Sequence, residues 1–109
     1  MDKISKQLTN FAKSCLEDLK AENITEIDVS KVSPVTDSML IATGTSKQHV
    51  KAIANYIKQQ TKEKNIDLVG FVGENNGEWV LIDLGDVVTH VMLPEVREYY
   101  ELEKLWNVD

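Results

Sequence analysis

The hydrophobic positions of the chain change their period several times, and each period predicts a different element. Between residues 4 and 19, apolar side chains recur every three or four residues and polar side chains fill the other side. This pattern predicts an amphipathic helix. Ile27 and Val29 then alternate with polar neighbours, as in a half-buried strand, and Pro34 ends that strand or confines it to a sheet edge. The run SMLIAT, residues 38–43, predicts a short buried strand.

A second helix follows the turn after Gly44. Apolar residues return at helical spacing between residues 50 and 57, and Thr45 and Ser46 are competing N-caps for this helix. Three short apolar runs then predict three strands, and they read DLVGFVG, EWVLIDL and VVTHVML. We expect the first of them to be apolar on both faces.

The last predicted element is a closing helix, PEVREYYELEKLW, with Pro94 in its first turn. Five strands and three helices in 109 residues predict a single α/β domain, residues 1–109, with a mixed five-stranded sheet.

The predicted hairpin GEWVLIDLGDVVTHVM contains three ionisable groups among apolar neighbours: Asp83, Asp86 and His90. A turn centred on Gly85 and Asp86 places Asp83 opposite Val88 and diagonal to His90. The acids and the histidine are then either an acid–base or metal site or the polar residues of an ordinary hairpin, and in both cases Asp83 can reach His90 to form a pair. We favour the hairpin, because a nucleophile and a set of three or four metal ligands are missing. We therefore expect no catalytic residue, no metal and no cofactor.

The turn ATGTSKQH joins a strand to a helix N-terminus around Gly44, an arrangement that can bind an anion. Its spacing is neither that of a P-loop nor that of a dinucleotide fingerprint, so a simple turn and cap is the preferred interpretation. The alternative is a nucleotidyl- or phosphoryl-transfer enzyme that uses the Gly44 turn together with Asp83 and Asp86.

Aromatic residues gather in the last third of the chain: Trp79, Tyr99, Tyr100 and Trp106. Such residues form either the anchors of a protein–protein interface or part of the core, and the sequence leaves both interpretations open. Tyr99 and Tyr100 are adjacent on a helix, so at least one of them should be partly exposed.

Charge narrows the class of partner. The net charge is −6, with a pI of about 4.9, which argues against a protein whose main affinity comes from neutralising phosphates. It suits a basic protein partner. No apolar run approaches the ~20 residues of a membrane span and no secretory signal pattern is present, so a cytoplasmic protein without membrane association is expected. The single cysteine, Cys15, is expected to be a buried apolar residue.

Three blocks of the sequence closely resemble the ribosomal silencing factor family, also called Iojap-like: DSMLIATGTSKQHVKAIA, EWVLIDLGDVVTHVM and EVREYYELEKLW. The resemblance runs over nearly the whole chain, in order and without large gaps. One departure is that members of the family often carry Glu-Gly where this chain has Val72-Gly73. The resemblance implies an α/β fold that looks like a nucleotidyltransferase core without its catalytic acids.

The resemblance also implies a binding protein rather than an enzyme. Such a protein docks on the large ribosomal subunit, at its ribosomal protein number fourteen, obstructs joining of the small subunit and damps translation when nutrients are scarce. It further implies a homodimer when the protein is free and no sequence-specific contact with nucleic acid. The contact residues implied by motif position are Trp79 and Tyr100. Weaker expectations, from nearness in sequence, are Asp83, Glu101, Leu102 and Leu105.

Overall fold

The computed structural model describes residues 2–105. In chain order, its elements are α1 (Lys3–Asp18), β1 (Glu22–Asp28), β2 (Ser38–Thr43), α2 (Lys47–Glu63), β3 (Gly70–Val72), β4 (Trp79–Asp83), β5 (Val87–Met92), α3 (Pro94–Tyr100) and α4 (Leu102–Leu105). Trp106, which belongs to the predicted closing helix, lies outside the described residues. No helix within residues 2–105 combines the length and the apolar composition needed to cross a bilayer.

The five strands form one sheet in the order β1-β2-β5-β4-β3. β2 and β5 pair in parallel and the other three pairings are antiparallel, which confirms the predicted mixed sheet. The hairpin of β4 and β5 has the predicted register, with Asp83 opposite Val88. Gly85 permits its tight turn, because the backbone there has a φ of 88°.

The main core lies between the sheet and the two long helices. α1 contributes Leu16, α2 contributes Ile53 and Ile57, and β4 contributes Val80 and Ile82, all fully buried. Each such side chain stabilises the fold by about 1.5–3 kcal/mol through burial. Cys15 is buried in this core, as predicted, and burial raises the pKa of its thiol to about 11.

A smaller core forms on the other face of the sheet. Met39 and Ile41 from β2 and Met92 from β5 pack with Val29 and with Leu102 of α4. This cluster attaches the C-terminal helices to the sheet face that α1 and α2 leave uncovered. It therefore positions the residues that follow Pro94 beside the first residue of β4.

The predicted closing helix is interrupted. α3 ends at Tyr100, its C-cap Glu101 adopts a left-handed conformation with a φ of 49°, and α4 begins at Leu102. The Glu101 N–H still donates to the carbonyl of Arg97, but the left-handed residue redirects the chain. The break allows Leu102 to enter the smaller core. A continuous helix would have carried the chain past this core.

At the element ends, the structure selects one of the two competing N-caps of α2 and corrects the expectation for β3. Ser46, rather than Thr45, is the N-cap of α2, because its hydroxyl accepts the His49 N–H at 3.0 Å. Thr45 instead donates its backbone N–H to His49 Nδ1 at 2.9 Å. The strand expected to be apolar on both faces is the three-residue edge strand β3, and its last residue, Val72, is exposed.

Candidate partner-binding surface

Trp79 begins β4 and points away from the two long helices. Side chains alternate along a strand, so Val80 and Ile82 enter the main core while Trp79 and Leu81 face the other side. Trp79 is half-buried there, and its ring centroid lies 4.9 Å from that of Tyr100 on α3. The smaller core thus brings together the two residues that the family resemblance singled out.

His90 holds the Trp79 side chain in place. The indole N–H of Trp79 donates to His90 Nδ1 at 2.9 Å, so the neutral imidazole carries its proton on Nε2. Burial lowers the pKa of His90 to about 4, which keeps the ring neutral and Nδ1 free to accept. Because the indole is already hydrogen-bonded on its inner side, its outer edge is presented in one orientation.

The proposed Asp83–His90 pair is not formed. His90 lies opposite Leu81 and has two diagonal neighbours, Trp79 and Asp83, and it bonds to the tryptophan. The Asp83 carboxylate turns the other way and accepts the Gly85 N–H at 2.8 Å, as an aspartate at a turn commonly does. The Asp83 side chain therefore stabilises the turn, as the favoured interpretation expected.

The surface around Trp79 is aromatic and apolar. Tyr100 is 52% exposed and Tyr99 is 80% exposed, and their rings meet edge to face with centroids 5.0 Å apart. Trp79 also lines a shallow depression of about 290 Å³ with Val72 and Leu81. An exposed aromatic pair beside an apolar depression favours the interface interpretation of these residues over core packing.

The other expected contact residues fall into three groups. Leu105 is exposed on α4, and Glu101 lies at the helix break with its carboxylate 3.1 Å from the Lys104 ammonium. Leu102 is buried beneath them in the smaller core, so it supports the surface and does not present itself to a partner. Asp83 shares a face with Trp79 but lies four residues along β4, roughly 13 Å away.

Arg97 fixes the helices that carry this surface, a role that the local sequence pattern did not predict. Its guanidinium bonds Glu103 at 2.6 Å and also donates to three acceptors on β1 and β2: the Asn23 carbonyl, the Thr25 hydroxyl and the Thr43 hydroxyl. One signal was available, because Arg97 is the only arginine beside eleven lysines. A planar guanidinium with several fixed donors is suited to a site with several acceptors, and a lysine is not.

The Gly44 turn and the hairpin acids lie at opposite ends of the sheet. The Gly44 N–H donates to the Met92 carbonyl at the end of β5, whereas the backbone carbonyl of Asp86 accepts the N–H groups of Asp37 and Ser38 at the beginning of β2. Six strand residues separate these ends, roughly 17 Å. Within residues 2–105, no three His, Cys, Asp or Glu side chains converge to hold a metal ion. The arrangement does not assemble the site that the enzyme alternative requires.

Comparison with known proteins identifies relatives over almost the whole chain. A family model described as ribosomal silencing factor during starvation matches residues 2–109. The chain is 48% identical to the ribosomal silencing factor of Chromobacterium violaceum, over 93% of this chain and 83% of that protein. It is 43% identical to the factor of Bacillus subtilis, over 94% of this chain and 86% of that protein. A crystal structure of a protein from Chromobacterium violaceum superposes with a TM-score of 0.92 at 45% identity, covering 100% of this chain and 89% of that one.

Proposed function

The chain belongs to the ribosomal silencing factor family, and from this premise we propose that it binds the large ribosomal subunit at ribosomal protein number fourteen. Bound there, it obstructs joining of the small subunit and so represses translation when nutrients are limiting. Its role is that of a binding protein and not of an enzyme, and it acts in the cytoplasm.

One observation carries the proposal: the contact between the half-buried Trp79 and the exposed Tyr100. Large aromatic side chains supply most of the binding free energy in many protein interfaces, and they do so when their orientation is fixed before binding. Here His90 fixes the indole, and the Arg97 contacts fix the helix that carries Tyr100. The neighbouring apolar depression can receive a side chain from the partner.

Charge supports a basic partner. The net charge of −6 draws a basic ribosomal protein toward the chain from a distance. Glu101 lies beside Tyr100 and is half exposed, so it can meet a basic residue at the edge of the contact. Asp83 contributes from further along β4, and Leu105 extends the apolar area on α4. These residues set orientation and association rate, while the aromatic pair supplies affinity.

We also propose that the free protein forms a homodimer through this same face. Exposure of this aromatic area to water is unfavourable, so a second copy of the chain covers it in the free protein. The ribosomal protein then competes with the second copy for the same surface. On this proposal, dimerisation and ribosome binding are mutually exclusive.

Alanine substitution of the aromatic pair tests the proposed contact. Trp79→Ala or Tyr100→Ala should weaken binding to purified large subunits by about 2 kcal/mol, or roughly 30-fold, measured by co-sedimentation over a concentration series. Val35→Ala is the matched control, because Val35 is also exposed but lies near the opposite end of the sheet. Thermal melting of each variant separates a lost contact from a lost fold. Binding that is unchanged in both aromatic variants would contradict the assignment.

A further inference from the structure

One flank of α2 carries a row of lysines. Lys47, Lys51, Lys58 and Lys62 are spaced by four, seven and four residues. At ~100° per residue, their side chains leave the helix within an arc of about 60°, and they span about 22 Å of its length. We call these four residues the lysine row.

The lysine row concentrates positive charge in an acidic protein. Residues 47–64 contain five of the twelve basic residues of the chain but only one of its eighteen acidic residues. Within the described part of the chain, Lys47 is the one member with a carboxylate within 4.0 Å, that of Glu78 at 3.6 Å. The other three ammonium groups remain available to an external anion.

Polar groups extend the row in its C-terminal half. Asn55 and Gln59 line a shallow concavity of about 610 Å³ together with Lys58, Lys62 and Glu63. The Lys58 ammonium lies 4.8 Å from the centroid of the Phe71 ring, which restricts its position. Two ammonium groups and two side-chain amides at one concavity can all donate hydrogen bonds to phosphate oxygens.

The lysine row and the Trp79–Tyr100 surface lie on opposite sides of the sheet. α2 packs on the sheet face that contains Val80 and Ile82, whereas Trp79 points to the other face. Both surfaces can therefore be occupied at the same time, and substitutions on one need not disturb the other.

We propose that the lysine row binds the sugar–phosphate backbone of helical RNA. A straight row of cations about 22 Å long matches an evenly charged polyanion, and it has no means of reading bases inside a helical groove. An anionic membrane fits less well, because no large apolar side chain is exposed on α2 that could enter a bilayer. The contact is weak, because the rest of the chain is acidic. It is independent of RNA sequence, because the lysine row contacts only the sugar–phosphate backbone.

Fluorescence anisotropy with a labelled RNA hairpin of about 20 base pairs tests the proposal. Neutralising three to four phosphates predicts that log K falls with log salt concentration with a slope of about −3, so raising salt from about 50 to 200 mM weakens binding roughly 60-fold. The test variant removes the three free ammonium groups: Lys51→Gln, Lys58→Gln and Lys62→Gln. The control variant makes the same change in net charge on other surfaces: Lys3→Gln, Lys6→Gln and Lys31→Gln.

The test variant should bind the hairpin at least 10-fold more weakly at low salt, with a slope near zero, and the control variant should keep most of the affinity and slope. Equal loss in both variants, or no binding of the hairpin by the unmodified protein at low salt, would overturn the proposal. Equal binding to anionic lipid vesicles would overturn the choice of RNA. This assay contains no ribosomal protein, so its outcome is independent of the proposed function. Circular dichroism confirms that glutamine, a good helix former, preserves α2.

Discussion

Replacing His90 by Gln should remove most of the acid sensitivity of this fold between pH 7 and pH 4.5. The imidazole is only 6% exposed, and its Nδ1 accepts the Trp79 indole N–H. Burial lowers its pKa from 6.5 to about 4. A protonated ring would also direct a second N–H at the indole, so acid should release Trp79 as well as destabilise the fold. A glutamine oxygen can accept the same indole N–H and does not titrate.

The magnitude follows from the two pKa values. The unfolded chain binds the His90 proton with a pKa near 6.5 and the folded chain with a pKa near 4, so the unfolded state holds more protons between these values. Stability from neutral His90 is therefore complete above about pH 6.5 and is lost as the pH falls toward 4. At 1.36 kcal/mol per pKa unit, the total is about 3 kcal/mol, and about 2.5 kcal/mol of it should be gone at pH 4.5.

Urea unfolding at pH 7 and at pH 4.5 measures the effect in the unmodified protein and in His90→Gln. Each protein loses some free energy of unfolding between pH 7 and pH 4.5. The loss in the unmodified protein minus the loss in His90→Gln gives the contribution of His90. Asp2 and Asp28 interfere little, because their lowered pKa values, caused by hydrogen bonds from Ser5 and Ser30, contribute stability that is lost only as the pH falls below about 3.8. An equal loss in both proteins would refute the reasoning.

Two further substitutions test the support of the candidate surface, and a third, Gly85→Ala, is the control for the second. In Arg97→Lys, the lysine cannot reproduce the four hydrogen bonds of the guanidinium, so the free energy of unfolding should fall by about 2–3 kcal/mol in a denaturant titration. An unchanged denaturation midpoint would contradict the role of Arg97 in fixing α3. Gly73→Ala places a Cβ 2.0 Å from the Trp79 carbonyl oxygen at a φ of 97°, whereas Gly85→Ala meets nothing closer than 3.8 Å at a similar φ. Thermal melting should therefore show that Gly73→Ala lowers the free energy of unfolding by more than about 2 kcal/mol and Gly85→Ala by about 1 kcal/mol. Equal losses in the two variants would contradict the steric argument.

Local pattern predicted the two long helices, the five strands of a mixed sheet and the register of one hairpin. Alternation and turn chemistry around Gly85 were sufficient to place Asp83 opposite Val88, because a tight turn fixes the register of its hairpin. The choice between two diagonal partners of His90 depended on side-chain directions that register alone does not specify. The predicted register therefore placed Asp83 near His90, but Trp79, which His90 actually bonds, was not predicted as its neighbour.

Long-range contacts account for what local pattern did not predict. Arg97 bonds residues 54 to 74 positions away, and these pairings become visible only when the sheet has brought β1 beside β2 and α3 above them. The helix break at Glu101 has a similar origin, since helix propensity favoured continuation and burial of Leu102 in the smaller core favoured the turn. The positive face of α2 was concealed by the net charge, which averages over the whole surface.

Joining of ribosomal subunits tests the central claim most directly. Purified large and small subunits are mixed with and without the protein, and whole ribosomes are separated from free subunits on a sucrose gradient. The proposed function predicts fewer whole ribosomes in proportion to added protein and a much smaller effect with Trp79→Ala, while Val35→Ala acts like the unmodified protein. Formation of whole ribosomes that is unchanged by a saturating amount of the protein would contradict the account.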